Sequence, residues 1–213
     1  VKAIVLGGSK GIGKAITNSL SSIGCDVVAA STKDIDTSNL DSVKKFIKKH
    51  RQTDILVLNT GGPPPKKFNE VTEKEWQKYH NQLFLSFCIL LKNLKVRDGG
   101  YIFVITSGVI KEPNPHLVIS SAYRLAFTAV FKLASKDLAA RKVSCINIAP
   151  GLINTDRLRD LGNTVKLAKS IPMRRLGEPR EIGDFVRSIV ENKIKYLSGV
   201  TINFDGANSN FVL

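Results

Sequence analysis

Six short apolar, β-branched runs recur along the sequence, at residues 3–6, 27–30, 55–58, 101–106, 143–149 and 200–204. Each is short enough to be one strand and continuous enough to be buried on both faces, the situation of a strand inside a parallel sheet. Between the runs the apolar residues change to helical spacing. Ile12, Ala15, Ile16, Leu20 and Ile23 form one stripe, and Leu40, Val43, Phe46 and Ile47 a second. Trp76, Tyr79, Leu83, Phe87, Leu90 and Leu94 make a longer one, and residues 117–139 carry Leu125, Ala129, Leu133 and Leu138. Alternation of strands and amphipathic helices with right-handed crossovers predicts an α/β fold. It is a Rossmann-like, doubly wound parallel sheet in three layers, α/β/α. No repeat, low-complexity tract or linker divides residues 1–213, so a single domain is expected.

The chain is 213 residues long and 43% apolar. A domain of this size removes roughly 70% of its unfolded surface on folding, which makes disulfides and structural metals unnecessary. Cys25, Cys88 and Cys145 are odd in number, far apart and set among apolar residues. They read as buried thiols in a reducing compartment rather than as a disulfide framework or a metal cage. No apolar run approaches the roughly 18 residues that span a bilayer, and the first residues read as a strand rather than a targeting segment. A soluble, cytoplasmic protein with no membrane partner is expected.

Lys and Arg number 32 against 18 Asp and Glu, a formal charge of +14. That field attracts polyanions. The charge is nevertheless spread in short clusters without aromatic interleaving or a groove-reading motif, so it is read as a solvated surface rather than a nucleic-acid face. Two local features interrupt the alternation. Only five residues separate Ala30 from Asp36-Thr37-Ser38, which resembles the end of a further strand and the cap of the next helix. No helix fits between them, so a loop or a truncated strand is expected there. Gly61-Gly62-Pro63-Pro64-Pro65 directly follows a strand and predicts a rigid, irregular loop.

The first strand runs into Gly7-Gly8-Ser9-Lys10-Gly11-Ile12-Gly13 and then a helix. Backbone N–H groups and a helix N-terminus converge there with no Cβ in the way, the arrangement that seats a pyrophosphate. The same glycines could serve only a tight turn. Further motifs follow in order: Asn59-Thr60-Gly61 after a strand, Ser107 after another, Pro150-Gly151 with Thr155, Arg175-Leu176-Gly177-Glu178-Pro179, and Asp205-Gly206. Taken together they resemble the short-chain dehydrogenase/reductase family over nearly the whole chain, nearest to its 3-oxoacyl-(acyl-carrier-protein) reductase branch.

The resemblance implies an NAD(P) site along the carboxyl ends of the strands. Gly7, Ser9, Lys10, Gly11, Ile12 and Gly13 would hold the pyrophosphate, Asn59, Thr60 and Gly61 would lie beside the adenosine, and Pro150, Gly151 and Thr155 near the nicotinamide. Ser31, Thr32 and Lys33 end the second strand, where an acid would bind ribose hydroxyls and repel a 2′-phosphate. With Lys10 they favour NADP(H) over NAD(H), and Asp34 is the dissenting charge.

Carbonyl reduction needs a proton donor at the developing alkoxide. The family uses a Tyr whose pKa is lowered by a Lys one helical turn later. That pair is absent. Counting from Ser107 and back from Pro150 puts Ser120 and Arg124 in the two positions, an i, i+4 pair on one helix face. Arg124 can hold ribose or phosphate, whereas Ser120 is a poor acid. Tyr123 points roughly 100° away from Arg124 and reaches the site only if the helix starts late or bulges; otherwise it packs. The family's Asn, seven residues after Trp76, falls on Leu83. His116 is either a substitute donor or a solvated loop residue. The candidate catalytic set is Ser107, Ser120, Tyr123 and Arg124.

Two functions remain open from these residues. One is an NADP(H)-dependent oxidoreductase, similar to a 3-oxoacyl reductase but with an atypical catalytic site, interconverting a carbonyl and an alcohol in a small-molecule substrate. The other is a dinucleotide-binding or assembly subunit whose chemistry has lapsed. Residues 156–172, with Leu158, Leu161 and Leu167, form either a substrate lid or an ordinary surface helix pair. The run at residues 199–206 resembles a last strand that relatives use to pack subunits, so a homo-oligomer, dimer or tetramer, is expected.

Overall fold

The apolar runs become six parallel strands in a computed structural model that describes residues 1–211 and, at Leu161, the backbone alone. The chain order opens with β1 (Lys2–Leu6), α1 (Gly11–Ser21), β2 (Asp26–Ala30), α2 (Leu40–Lys49) and β3 (Gln52–Leu58). It continues with α3 (Glu73–His80), α4 (Ser86–Asn93), β4 (Lys95–Ile105), α5 (Val118–Ala139) and β5 (Ser144–Pro150). Last come α6 (Asp156–Leu161), α7 (Thr164–Ser170), α8 (Pro179–Glu191) and β6 (Val200–Phe204).

Sheet order is β2-β1-β3-β4-β5-β6. The chain therefore reverses direction across the sheet at β1, which pairs with β2 on one side and β3 on the other. In open sheets of this kind the crevice beyond the strands' carboxyl ends at such a switch point is where ligands bind.

The pleat sorts alternate residues to opposite faces. Ile4, Leu6, Leu56, Leu58, Ile102 and Val104 pack with Val43 and Phe46 of α2, Phe87 and Leu90 of α4, and Phe127 and Phe131 of α5. Ala3, Val5, Ile55, Val57, Phe103 and Ile146 face the other way, onto Ile16 and Leu20 of α1 and Ile182, Val186 and Ile189 of α8. Fully burying each large aliphatic side chain contributes about 1.5–3 kcal/mol, so the two apolar faces account for the three-layer architecture. Cys145 is in this core and its burial raises the thiol pKa to about 12, while Cys25 and Cys88 are half-buried; all three are free thiols.

Two local expectations are corrected. Asp36-Thr37-Ser38 does not end a strand: the Asp36 carboxylate accepts from the Ser38 amide and hydroxyl, and the Asp36 amide donates to the Ser42 hydroxyl. These short polar side chains satisfy the backbone locally instead of a sheet ladder, and Asn39 then caps α2. β2 is left as the sheet edge. The long stripe from Trp76 to Leu94 is likewise not one α-helix. A π turn at Asn81–Leu85 separates α3 from α4, and such turns shift side-chain phase. Among the described residues no helix is long and apolar enough to cross a membrane.

Candidate active site

The site is assembled where β1, β3, β4 and β5 end. Gly7 turns the chain out of β1 with φ at +62°, a conformation that costs glycine nothing. α1 then starts at Gly11. Its N-cap residue, Lys10, makes no side-chain capping bond and its first turn holds no acid, so the orphan N–H groups of that turn are left for an anionic ligand. Gly13 lies one layer behind: a Cβ there would stand 2.2 Å from the Gly7 carbonyl oxygen and 2.9 Å from Asn59 Nδ2. Asn59 Nδ2 in turn donates to the Leu6 carbonyl at 3.2 Å, tying the end of β3 to the end of β1.

A cleft of about 490 Å³ opens over these strand ends. Its wall contains Gly7, Ser9, Lys10, Gly11 and Ile12 from the glycine loop, Thr32, and Asn59, Thr60 and Gly61 after β3. Ser107, Ser120, Arg124, Pro150, Gly151 and Thr155 line it as well, Thr155 lying against Gly11. Ser107 follows β4 after one residue, and its hydroxyl accepts from the Val109 amide at 3.4 Å, fixing its position at the start of a short 3₁₀ turn. Ser120 and Arg124 sit one turn apart on α5, both buried. Thr155 caps α6 by accepting from the Leu158 amide.

Arg124 is only 7% exposed. Its Nη1 donates to the Ile105 carbonyl at 2.9 Å and its Nη2 to the Thr60 carbonyl at 3.3 Å. Burial, and secondarily the charge of Arg157, lower its pKa to about 10; at neutral pH the guanidinium is still charged. Arg157, exposed at the mouth of the cleft, reaches across from α6 and donates to the Gly62 carbonyl at 2.7 Å and the Pro63 carbonyl at 2.6 Å. The cleft thus holds three cations, Lys10, Arg124 and Arg157. Its one lining acid, Asp156, is engaged by Arg159.

Four expected site residues do not line the cleft. Tyr123 packs with Trp76, Tyr79, Leu83 and Ile119, edge-on to the Trp76 ring, and its hydroxyl donates to the Trp76 carbonyl at 3.1 Å. Burial raises its pKa, the wrong direction for a proton donor near neutrality. The placement of Tyr123 among the catalytic residues is therefore corrected: α5 neither starts late nor bulges there, and the phenol is directed to α3. Gly13 supports the loop from behind rather than facing the cleft.

Ser31 gives both its amide (2.9 Å) and its hydroxyl (2.7 Å) to the Asp34 carboxylate, and the Lys33 amide donates to the Ser31 hydroxyl. Those bonds lower the Asp34 pKa, so a carboxylate, not a free hydroxyl, occupies that corner. Lys33 is exposed outside the wall. His116 is exposed as well, its amide bonded to Asn114, and is no substitute donor in this arrangement.

Arg157 was not legible as a site residue, because one arginine in a polar helix carries no distinguishing pattern; its place two residues after Thr155 was the available signal. Gln82 was also passed over. The π turn turns its side chain toward the proline-rich loop, where Nε2 donates to the Gly61 carbonyl at 2.8 Å. Leu83, at the position of the family's Asn, is buried beside Tyr79 and Ile119. Among the described residues no group of three His, Cys, Asp or Glu side chains is placed to hold a metal ion.

Comparison with known proteins agrees with this geometry. A family model described as enoyl-(acyl carrier protein) reductase matches residues 35–207. The chain is 27% identical to the 3-oxoacyl-(acyl-carrier-protein) reductase of Chlamydia pneumoniae, over 96% of this chain and 95% of that one. A short-chain dehydrogenase/reductase from Serratia marcescens superposes with a TM-score of 0.86 at 24% identity, covering 98% of each chain. A blue fluorescent protein from a metagenomic library, solved in complex with NADPH, gives 0.86 at 22% identity, again over 98% of each. With a six-stranded parallel sheet, a glycine loop at its switch point and a cleft over its strand ends, the chain belongs to the short-chain dehydrogenase/reductase family of oxidoreductases.

Proposed function

We propose that this protein is an NADP(H)-dependent oxidoreductase that interconverts a carbonyl and an alcohol, similar to a 3-oxoacyl reductase but with a changed proton relay. The observation that carries the reading is one cleft holding the glycine loop, the Asn59-Thr60-Gly61 strand end, Ser107, Arg124 and Thr155 together. A dinucleotide fits this chemistry: the α1 N-terminus offers uncapped N–H groups, and a Cβ at Gly13 would displace the loop that presents them.

A bound nicotinamide would supply or accept the hydride. The chain's own residues do the rest. The α1 amides and Lys10 hold the phosphates, and the Ser107 hydroxyl donates to the substrate oxygen. The buried Arg124 guanidinium favours negative charge developing on that oxygen, in surroundings where its field is weakly screened. Electrostatic stabilisation of the alkoxide then substitutes for part of the work of the missing phenol, and the proton comes from solvent at the cleft mouth. Lys10 and Thr32 in the cleft wall favour a 2′-phosphate against the opposing Asp34 carboxylate, and the NADPH held by a structural neighbour supports the same choice. α6 and α7 form the lid of the substrate entrance, with Leu158 in the cleft wall; the Leu161 side chain lies outside the described residues. Leu125 and Leu133 on α5 are 47% and 64% exposed, apolar surface that suits a homo-oligomer.

Titration with NADPH and NADH, followed by NADPH oxidation over a panel of ketones, tests the reading. Turnover that falls at least roughly tenfold in Ser107→Ala is expected, the effect of losing one hydrogen bond at the reacting oxygen. The absence of a phenol from the cleft favours the second reading, a dinucleotide-binding subunit without turnover. Tight NADPH binding with no reduction of any ketone would select it.

A further inference from the structure

The cleft carries more positive charge than the chain neutralises. Arg124 and Arg157 converge on one point of its wall: Arg157 Nη2 lies 3.4 Å, and Arg124 Nη2 3.8 Å, from where a Cβ on Gly62 would stand. Among the described residues neither guanidinium meets a carboxylate; both bond to main-chain carbonyls. A carbonyl oxygen brings only a partial charge, so two like charges are left side by side at a solvated cleft. Each guanidinium has five N–H donors in a planar fork, of which these bonds use two, and that fork matches a carboxylate. Asp156 does not relieve the excess, because Arg159 takes it up.

We propose that Arg157, backed by Arg124, receives a carboxylate carried by the substrate, so that the cleft takes oxo acids in preference to neutral ketones. The inference rests on the oxidoreductase reading and adds the substrate class to it. Ser107 and Ser120 line the cleft from the end of β4 and the start of α5, whereas the Arg pair lies toward Gly62. Arg124, bonded to both the Ile105 and the Thr60 carbonyls, joins the two stretches of wall, and Leu117, Ile153 and Leu158 line the same cleft for the carbon chain. The overall reaction is oxo acid plus NADPH plus a proton to hydroxy acid plus NADP⁺. The carbonyl carbon gains the hydride, and its oxygen gains the proton.

The cofactor's own phosphates are the other source of negative charge, and the test separates them. 2-Oxobutanoate, acetoacetate and their methyl esters are titrated calorimetrically into protein saturated with NADP⁺, which cannot reduce them, so the heat reads binding alone. The acids are expected to bind roughly tenfold or more tightly than the esters, the scale of one charge-assisted hydrogen bond. Arg157→Met, at an exposed position, is expected to bring the acid-to-ester ratio near one while NADPH affinity changes less than about twofold. Arg157→Lys, which keeps the charge without the fork, should fall between. Equal binding of acid and ester by the unaltered protein, or binding of neither, overturns the inference and leaves the oxidoreductase reading intact. Weakened NADPH binding in Arg157→Met with the acid preference preserved also overturns it, assigning the fork to a cofactor phosphate. Failure of the unaltered protein to bind NADPH removes both readings at once.

Discussion

Replacing Gly13 with alanine probes the joint that carries the glycine loop. The added methyl would stand 2.2 Å from the Gly7 carbonyl oxygen, 2.7 Å from the Gly7 carbonyl carbon and 2.9 Å from Asn59 Nδ2. Two of these are backbone atoms with no rotamer to yield, so α1 must retreat from the end of β1 by about an ångström to reach ordinary contact. Ile16 and Leu20, both fully buried against the sheet, move with it.

Overpacking of this kind costs about 1–3 kcal/mol. At about 2–4 °C per kcal/mol for a domain of this size, the unfolding midpoint should fall by about 2–12 °C. The same displacement withdraws the α1 amides from the phosphates, and losing one amide–phosphate bond lowers NADPH affinity roughly tenfold. Thermal unfolding followed by far-ultraviolet circular dichroism reads the first effect and calorimetric titration the second. Gly162→Ala is the control, since nothing lies within 4 Å of the added methyl. A Gly13→Ala midpoint within 1 °C or so of the parent, with NADPH affinity unchanged, would refute both the close packing of α1 on β1 and its link to the cofactor seat.

Three more outcomes are expected. Asp34→Ala removes a carboxylate from the end of β2 and frees the Ser31 amide and hydroxyl, so the NADPH-to-NADH affinity ratio should rise roughly tenfold, measured by parallel titrations. Tyr123→Phe deletes the bond to the Trp76 carbonyl and should lower the unfolding midpoint by about 1–5 °C, with ketone reduction unaffected; loss of turnover would return the phenol to the reaction. The Glu181 carboxylate, bonded by Arg175 and then by the Glu178 amide, has its pKa lowered to about 2. Because the folded value lies below the unfolded one near 4.5, its contribution is present above about pH 4.5 and lost as pH falls toward 2. Urea midpoints in that window should decline less steeply in Glu181→Gln than in the parent.

Local pattern was enough for the strands, α1 and α2, because a strand buried on both faces tolerates only apolar residues and a helix on a sheet only an apolar stripe; on α5 it was not, since Leu125 and Leu133 are exposed and Phe127 and Phe131 face the core. It was also enough for the glycine loop, since close backbone approach excludes a Cβ at Gly13 whatever lies elsewhere. It failed where a polar side chain had several partners within reach. Ser31 could have faced a phosphate but is held by Asp34, three residues on. Asp36-Thr37-Ser38 could have ended a strand but closes its bonds locally.

The sequence by itself determined the alternation behind the doubly wound sheet and the glycine loop, because these follow from burial periodicity and from glycines no other residue can replace, and its ordered motifs carried the resemblance to the family. Only the tertiary structure decided which charges share the cleft. Arg124 and Arg157 come from α5 and α6, and they meet at Gly62 because α5 packs on one sheet face while α6 crosses over the strand ends. The direction of the Tyr123 phenol, toward α3 and away from the substrate, was decided in the same way. Long-range electrostatics and side-chain direction depend on distances between segments far apart in the chain, and spacing along the sequence does not encode those distances.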